Sequence, residues 1–289
     1  MDKIVSHMPA TYNDLKAVIA AQYNSLPRQL KKFGRFALDN SDVLALETVT
    51  TVAQRADVQP STIIRFAKAI GYEGFSDLQQ ICRNRLMEDT SSYRERIKTF
   101  RNEGPGGSAG VLNEFCESSI DSLDQLRLNT PAEKLEHAAG ILSGARDIYL
   151  FAQGRSFAVA HYLHYALCRL EIRCFLADGA GGMLDYQLSK AGPQDAVIAI
   201  SFAPYSPVVS GMVLALAERG VKIISITDSP LSPLAEPGAV SFEISDSQDQ
   251  AFRTLVAPLC LAQSLVVSLG QNISENQSST GTRAELEPI

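Results

Sequence analysis

An all-α helix-turn-helix N-terminal domain followed by an α/β doubly wound parallel-sheet domain is the fold class this sequence predicts, and three observations predict it. Residues 48–71, TVTTVAQRADVQPSTIIRFAKAIG, carry two short amphipathic stretches around a turn. From residue 147 onward, short apolar runs alternate with helical stretches, the pattern of a sheet buried on both faces. Between the two patterns lies GPGG, residues 104–107, which breaks helices and permits a hinge. The resulting division is a helical domain over residues 1–92, a linker over 93–110, an α/β domain over 111–272 and a polar, loosely ordered tail over 273–289.

In the first domain the spacing predicts helices over residues 15–36, 43–56 and 60–70, then a turn at Gly71, Tyr72, Gly74 and Phe75 into a helix over 76–85. Ala53 sits where two helices must approach closely, and Val52, Ala56, Val58, Ile63 and Phe66 fill the small core between them. The turn is Asp57-Val58-Gln59, whose first residue requires a left-handed conformation that Asp tolerates. Pro60 suits the first position of the second helix because its missing N–H costs nothing there, whereas Gln59 is a mediocre cap. With Ile63, Phe66, Ala67 and Ile70 on the inner face, Ser61, Thr62, Arg65 and Lys68 are expected on the outer one. Together with Gln59 they form a short cationic, donor-rich surface suited to base edges and phosphates of double-stranded DNA.

Charge agrees with that division. Residues 1–101 hold 15 Lys and Arg against 11 Asp and Glu, a net +4, whereas the remainder carries −10. A basic first third on an acidic chain implies a nucleic-acid module joined to something else. The 289 residues, 45% of them hydrophobic, suffice for two real cores. No run of about 18 apolar residues and no hydrophobic signal core at the N-terminus is apparent, so a cytoplasmic protein without membrane contact is expected. The five cysteines lack C-x-x-C pairs and lie mostly in apolar stretches, which assigns them to the core as reduced thiols and gives no metal ligand.

In the second domain, helices are expected over 111–128 and 131–142, then strands at IYLF, IRCFL, AVIAI, VKIISI and VSFEI, with helices over 156–170, 208–219 and 252–269. The last helix packs either at a dimer contact or within its own domain. Ligands of such sheets sit beyond the carboxyl ends of the strands. Two turns there are rich in small and hydroxyl residues, Ala152-Gln153-Gly154-Arg155-Ser156 and Ser201-Phe202-Ala203-Pro204-Tyr205-Ser206. Gly154 lets the backbone approach an anion, Arg155 adds charge, and Ser156, Ser201 and Ser206 offer hydroxyls to phosphate oxygens or simply cap helices. Thr227-Asp228-Ser229 contacts a sugar or caps the next turn, capping being favoured for Asp228. His161 and His164 lie further along the helix after Ser156, where packing or surface roles outweigh catalysis. No Walker loop, dinucleotide fingerprint or catalytic triad is apparent, so no cofactor is expected.

Pro60-Ser61-Thr62-Ile63-Ile64-Arg65-Phe66, followed by Gly71-Tyr72-Glu73-Gly74-Phe75, resembles the helix-turn-helix of the RpiR family of bacterial transcription regulators. Residues 130–270 resemble a sugar-isomerase-type (SIS) phosphosugar-binding domain, whose Gly-x-Ser turn is matched by Gly154-Arg155-Ser156. Its Ser-x-Ser-Gly-x-Thr turn is met by Ser201 and Ser206 at the outer positions, while Ala203 and Pro204 depart from it. The resemblance implies a regulator of carbohydrate metabolism, a homodimer or homotetramer on an operator, with a sugar phosphate or related sugar derivative as effector and no catalytic residue. A phosphosugar isomerase or lyase with an accessory helical domain is the alternative.

Overall fold

The computed structural model describes residues 8–90, 97, 100, 107–244 and 252–284. It separates into two compact units, one over residues 1–111 with 248–252, the other over 112–247 with 253–289. The first unit comprises helices α1 (Tyr12–Gln22), α2 (Arg28–Asp39), α3 (Ser41–Leu46), α4 (Val49–Arg55), α5 (Pro60–Ile70) and α6 (Phe75–Thr90). Its core gathers Leu15, Ile19, Phe33, Leu44, Val52, Ile63, Phe66, Ile70 and Leu78, none more than 1% exposed. Phe33 meets Phe66 edge to face at 5.0 Å, and a Cβ on Gly34 would stand 2.9 Å from the Phe66 ring, so α2 lies close against α5.

Two expected helices are each divided in the structure. The helix over 15–36 is cut at Pro27, which lacks an N–H and holds Leu26 extended at φ −70°, ψ 145°. That over 43–56 is cut at Glu47 and Thr48. Thr48 is extended, and its hydroxyl accepts from the Thr51 N–H at 3.3 Å, an N-cap that competes with a continuous helix. The carbonyls released at the end of α3 are collected from α6: Gln79 Nε2 donates to Leu44 O and Glu47 O at 3.0 and 2.8 Å, and Arg83 Nε to Ala45 O at 2.8 Å.

In the second unit α7 (Gly107–Asn129), whose first five residues are counted with the first unit, and α8 (Ala132–Ser143) lead into β1 (Ile148–Ala152), α9 (Phe157–Arg169), β2 (Cys174–Ala177), α10 (Leu184–Leu188), β3 (Ala196–Ile200), α11 (Pro207–Glu218), β4 (Lys222–Thr227), β5 (Val240–Glu243) and α12 (Val256–Ala284). The strands form one parallel sheet in the order β2-β1-β3-β4-β5. Every residue of β1 and β3 is buried, the mark of a sheet covered on both faces. One face carries Ile148, Leu150, Ile198 and Ile200 against α8, α9 and α12, and the other Tyr149, Phe151, Val197 and Ala199 against α11.

Several boundaries differ from expectation, among them the end of α6, expected at Arg85 and found at Thr90. Residues 107–110 of the expected linker are already helical, most of the rest of that linker lying outside the described residues. Strand β2 begins at Cys174 rather than Ile172. The final helix starts at Val256 and continues to Ala284, through most of the expected loose tail. Its first turns are fixed by Ala257, Leu261, Ala262, Leu265 and Leu269 in the core. Extension from an anchored helix needs no new nucleus, so a polar continuation persists. By length and composition alone, Val256–Glu275 is long and apolar enough to cross a membrane, although polar residues interrupt it. That buried stripe makes it a core helix of the α/β unit.

Candidate functional site

The helix-turn-helix is built from α4, α5 and the turn between them. Asp57 adopts the left-handed conformation, φ 49°, as its position required. Val58 N donates to Ala53 O at 3.0 Å and Asp57 N to Gln54 O at 3.2 Å, closing α4. Lys32 Nζ donates to Asp57 O and Oδ2 at 2.9 and 2.5 Å, and this partner holds the carboxyl below its usual range. Pro60 opens α5, Gln59 makes no side-chain cap bond, and Gly71 at φ 105° ends the helix.

Along α5, Gln59, Ser61, Arg65 and Lys68 are exposed, as expected of a reading face. Thr62 is not: it is 3% exposed and shares the inner face with Ile63, Phe66, Ala67 and Ile70. The correction follows from helical geometry, since residues 62 and 66 are four apart and stack on one side. Ile64, 43% exposed, takes the outer position assigned to Thr62.

The second site lies at the carboxyl ends of β1 and β3, where the strand order reverses. Ala152 pairs with Ile200 in register, so the turns after these strands emerge side by side. Gly154 is left-handed at φ 59°, and a Cβ there would meet no atom within 4 Å. Arg155 Nη1 donates to Arg253 O at 2.9 Å, and the guanidinium lies 5.6 Å from the Phe202 ring. Ser156 and Ser201 are buried, each 5% exposed. Ser206 caps α11 by accepting from Val209 N at 3.4 Å, and its hydroxyl donates to Gln153 Oε1 at 2.7 Å, tying the two turns together. Ser206 N also reaches Ser201 Oγ at 3.4 Å. The structure therefore brings both predicted turns to one place, with the starts of two helices above it.

Asp228 does more than cap. From the end of β4 it accepts from Tyr205 Oη at 2.7 Å and from Ala203 N at 3.3 Å, with Arg253 Nη1 at 3.8 Å from its Oδ2. Arg253 Nη1 also donates to Ala203 O at 2.8 Å. Residues 203–205 are thus gripped from two sides. Thr227 and Ser229 bond within their own loop, to Ser232 Oγ and Leu231 N. Neither Gln153 nor Arg253 was singled out from the sequence. Gln153 sits inside a turn that was, whereas Arg253 carries no local signal at all. His161 is exposed, and His164 Nε2 lies 3.8 Å from Cys168 Sγ on the third turn of α9. Cys82 alone of the five cysteines is buried; Cys116, Cys168 and Cys260 are exposed, which corrects their assignment to the core.

Fold and paired turns define the class: a helix-turn-helix domain joined to a sugar-isomerase-type α/β domain. Residues 13–89 match the model of the rpiR-family helix-turn-helix domain and residues 141–268 that of the SIS domain, and with both in this order the chain belongs to the RpiR family. Among curated relatives, the bifunctional protein glk of Burkholderia orbicola is 26% identical over 74% of this chain, and the chain spans only 32% of that protein's length. An uncharacterized HTH-type transcriptional regulator of Caldanaerobacter subterraneus is 24% identical, with 89% of this chain and 88% of that protein covered. Two solved structures share the fold. The Vibrio vulnificus NanR protein complexed with ManNAc-6P has a TM-score of 0.56 at 20% identity, over 94% of this chain and 97% of that one. The sugar isomerase domain of the RpiR transcription factor from Sphaerobacter thermophilus has a TM-score of 0.51 at 24% identity, over 58% and 93%.

Proposed function

We propose that this protein is a DNA-binding transcriptional regulator of carbohydrate metabolism whose operator affinity is set by a phosphorylated sugar, or a related sugar derivative, held in the SIS domain. The observation that carries this reading is the pairing of the two turns through Ser206 and Gln153 at the strand-order reversal, in a chain that also presents Ser61, Arg65 and Lys68 on a helix-turn-helix. Hydroxyls and unpaired N–H groups at helix starts favour an anion. Gly154, Arg155, Ser156, Ser201 and Ser206 form its ligand surface in this reading. Arg155 remains attractive to phosphate while braced against Arg253 O. On DNA, Gln59, Ser61, Arg65 and Lys68 make the contacts, and Thr62 supports them from within.

The same reading makes the protein a cytoplasmic homodimer or homotetramer acting on paired half-sites, without turnover. It treats residues 1–92 as the reader, 93–110 as the connection and the following residues as the sensor. Asp228, the carboxylate bonded to the second of the paired turns, is occupied in holding Tyr205 and Ala203 and is poorly placed as a mobile base. A coupling of about 1–3 kcal/mol between effector and operator, typical of such switches, changes affinity roughly 5–150-fold.

A thermal-shift screen of the full chain against hexose and pentose phosphates, plain sugars and sugar acids identifies the effector. The hit should change retardation of a cognate genomic fragment, and Ser156→Ala with Ser201→Ala should blunt that change while leaving DNA binding intact. An unchanged response moves the pocket elsewhere. Conversion of any phosphosugar above blank overturns the non-enzymatic reading.

A further inference from the structure

On the far part of α9, away from its first turn, three soft ligand atoms converge. His164 and Cys168 are four residues apart and share a helix face. Cys174 opens β2, the edge strand beside β1. Cys168 Sγ lies 3.7 Å from Cys174 Sγ and 3.8 Å from His164 Nε2, and all three ligand atoms fall within 4.8 Å of one another. Cys174 Sγ also sits 3.9 Å from His164 O, so the strand is packed directly on that turn of the helix.

These separations discriminate between the fates open to paired thiols. A disulfide requires sulfurs ~2.05 Å apart. Two thiolates on a tetrahedral Zn2+, each at ~2.3 Å, stand ~3.8 Å apart, and a thiolate and an imidazole nitrogen on the same ion ~3.6 Å apart. The observed 3.7 and 3.8 Å match two edges of that geometry, and the third, from Cys174 Sγ to the imidazole, lies within 4.8 Å, so small side-chain adjustments complete the site. We propose that His164, Cys168 and Cys174 form a binding site for a thiophilic divalent ion of the Zn2+ class. One imidazole and two thiolates suit such an ion, and binding releases the thiol protons to solvent. Because Cys168 is exposed and the other two are half-buried, the ion enters from solvent and keeps a fourth position for water or an external ligand. Such an ion clamps β2 to the helix that begins at the paired turns.

Spacing conceals this cluster from sequence inspection. His-x3-Cys-x5-Cys is assembled across a helix end and a strand start, with none of the C-x-x-C pairing that marks a zinc site. The test uses the reduced, chelator-treated full chain titrated with Co2+ as optical probe. One equivalent should produce a near-ultraviolet thiolate-to-cobalt charge-transfer band and the intense visible bands of tetrahedral Co2+, bleached by one equivalent of Zn2+. In C168S/C174S the bands should vanish, and in H164A affinity should fall at least tenfold, with circular dichroism of each variant matching wild type. C116S/C260S should titrate as wild type. Absence of the bands in the wild-type chain, their persistence in C168S/C174S, or their loss in C116S/C260S overturns the proposal. The effector screen is independent of this outcome.

Discussion

Removing the carboxylate of Asp228 should loosen one lip of the proposed ligand site without touching the ligand-facing hydroxyls. Its side chain is 5% exposed and accepts from Tyr205 Oη at 2.7 Å and Ala203 N at 3.3 Å. Hydrogen bonds to a charged acceptor contribute about 1.5–3 kcal/mol each. The longer bond to Ala203 counts at the bottom of that range, and the Arg253 contact at 3.8 Å is too long to add a hydrogen bond of its own. Asp228→Ala therefore costs the loop about 3–4.5 kcal/mol, which corresponds to roughly 150–2,000-fold in a local equilibrium. Hydrogen exchange followed by mass spectrometry reads this directly, because the Ala203 amide is itself one of the donors. A peptide spanning residues 201–206 should exchange faster by that factor in Asp228→Ala and by a smaller one in Asp228→Asn, which keeps a neutral acceptor for Tyr205. Tyr205→Phe should add little to Asp228→Ala, since both delete the same bond. Equal exchange in wild type and Asp228→Ala would refute the assignment of Asp228 as the clamp and return it to the capping role suggested by its position after β4.

Other consequences are as direct. Arg65→Ala should weaken binding to a cognate operator by about 1–3 kcal/mol if Arg65 reads a base, whereas Thr62→Val, buried beside Ile63 and Phe66, should leave it unchanged in a fluorescence-anisotropy titration. Gly154→Ala places a Cβ at φ 59°, a strain of about 1–2 kcal/mol, visible as a drop of about 2–4 °C per kcal/mol in the Tm of the α/β unit. Burial pushes the Cys82 thiol up to about 12 from an ordinary 9.0. At pH 8 iodoacetamide should therefore label Cys116 and Cys260 and spare Cys82. By linkage, a folded-state value above the unfolded one leaves stability intact below about pH 9 and erodes it as pH rises toward 12. Denaturant midpoints that stay level through that window in wild type, or fall equally in Cys82→Ala, would contradict it.

Local chemistry explains which features were legible in the sequence. The Asp57 turn, the Pro60 start, the Gly71 stop and the five strands each depend on neighbouring residues, and each was found within two residues of its expected place. The breaks at Pro27 and Thr48 were also local, but apolar periodicity ran through them and hid the stronger backbone preference of a proline and a capping hydroxyl. Thr62 was misplaced because a polar side chain four residues before Phe66 follows the helix and not its own polarity. What no local pattern encodes is convergence from separate elements. Gln153 meets Ser206 across 53 positions, and Arg253 reaches Ala203 across 50. The first contact follows from β1 and β3 being neighbours in the parallel sheet, and the second from the segment between β5 and α12 returning to the turn after β3. The hydroxyls that face a ligand can therefore be read from turn composition, whereas the residues that hold those turns rigid become visible only once the strand order is known.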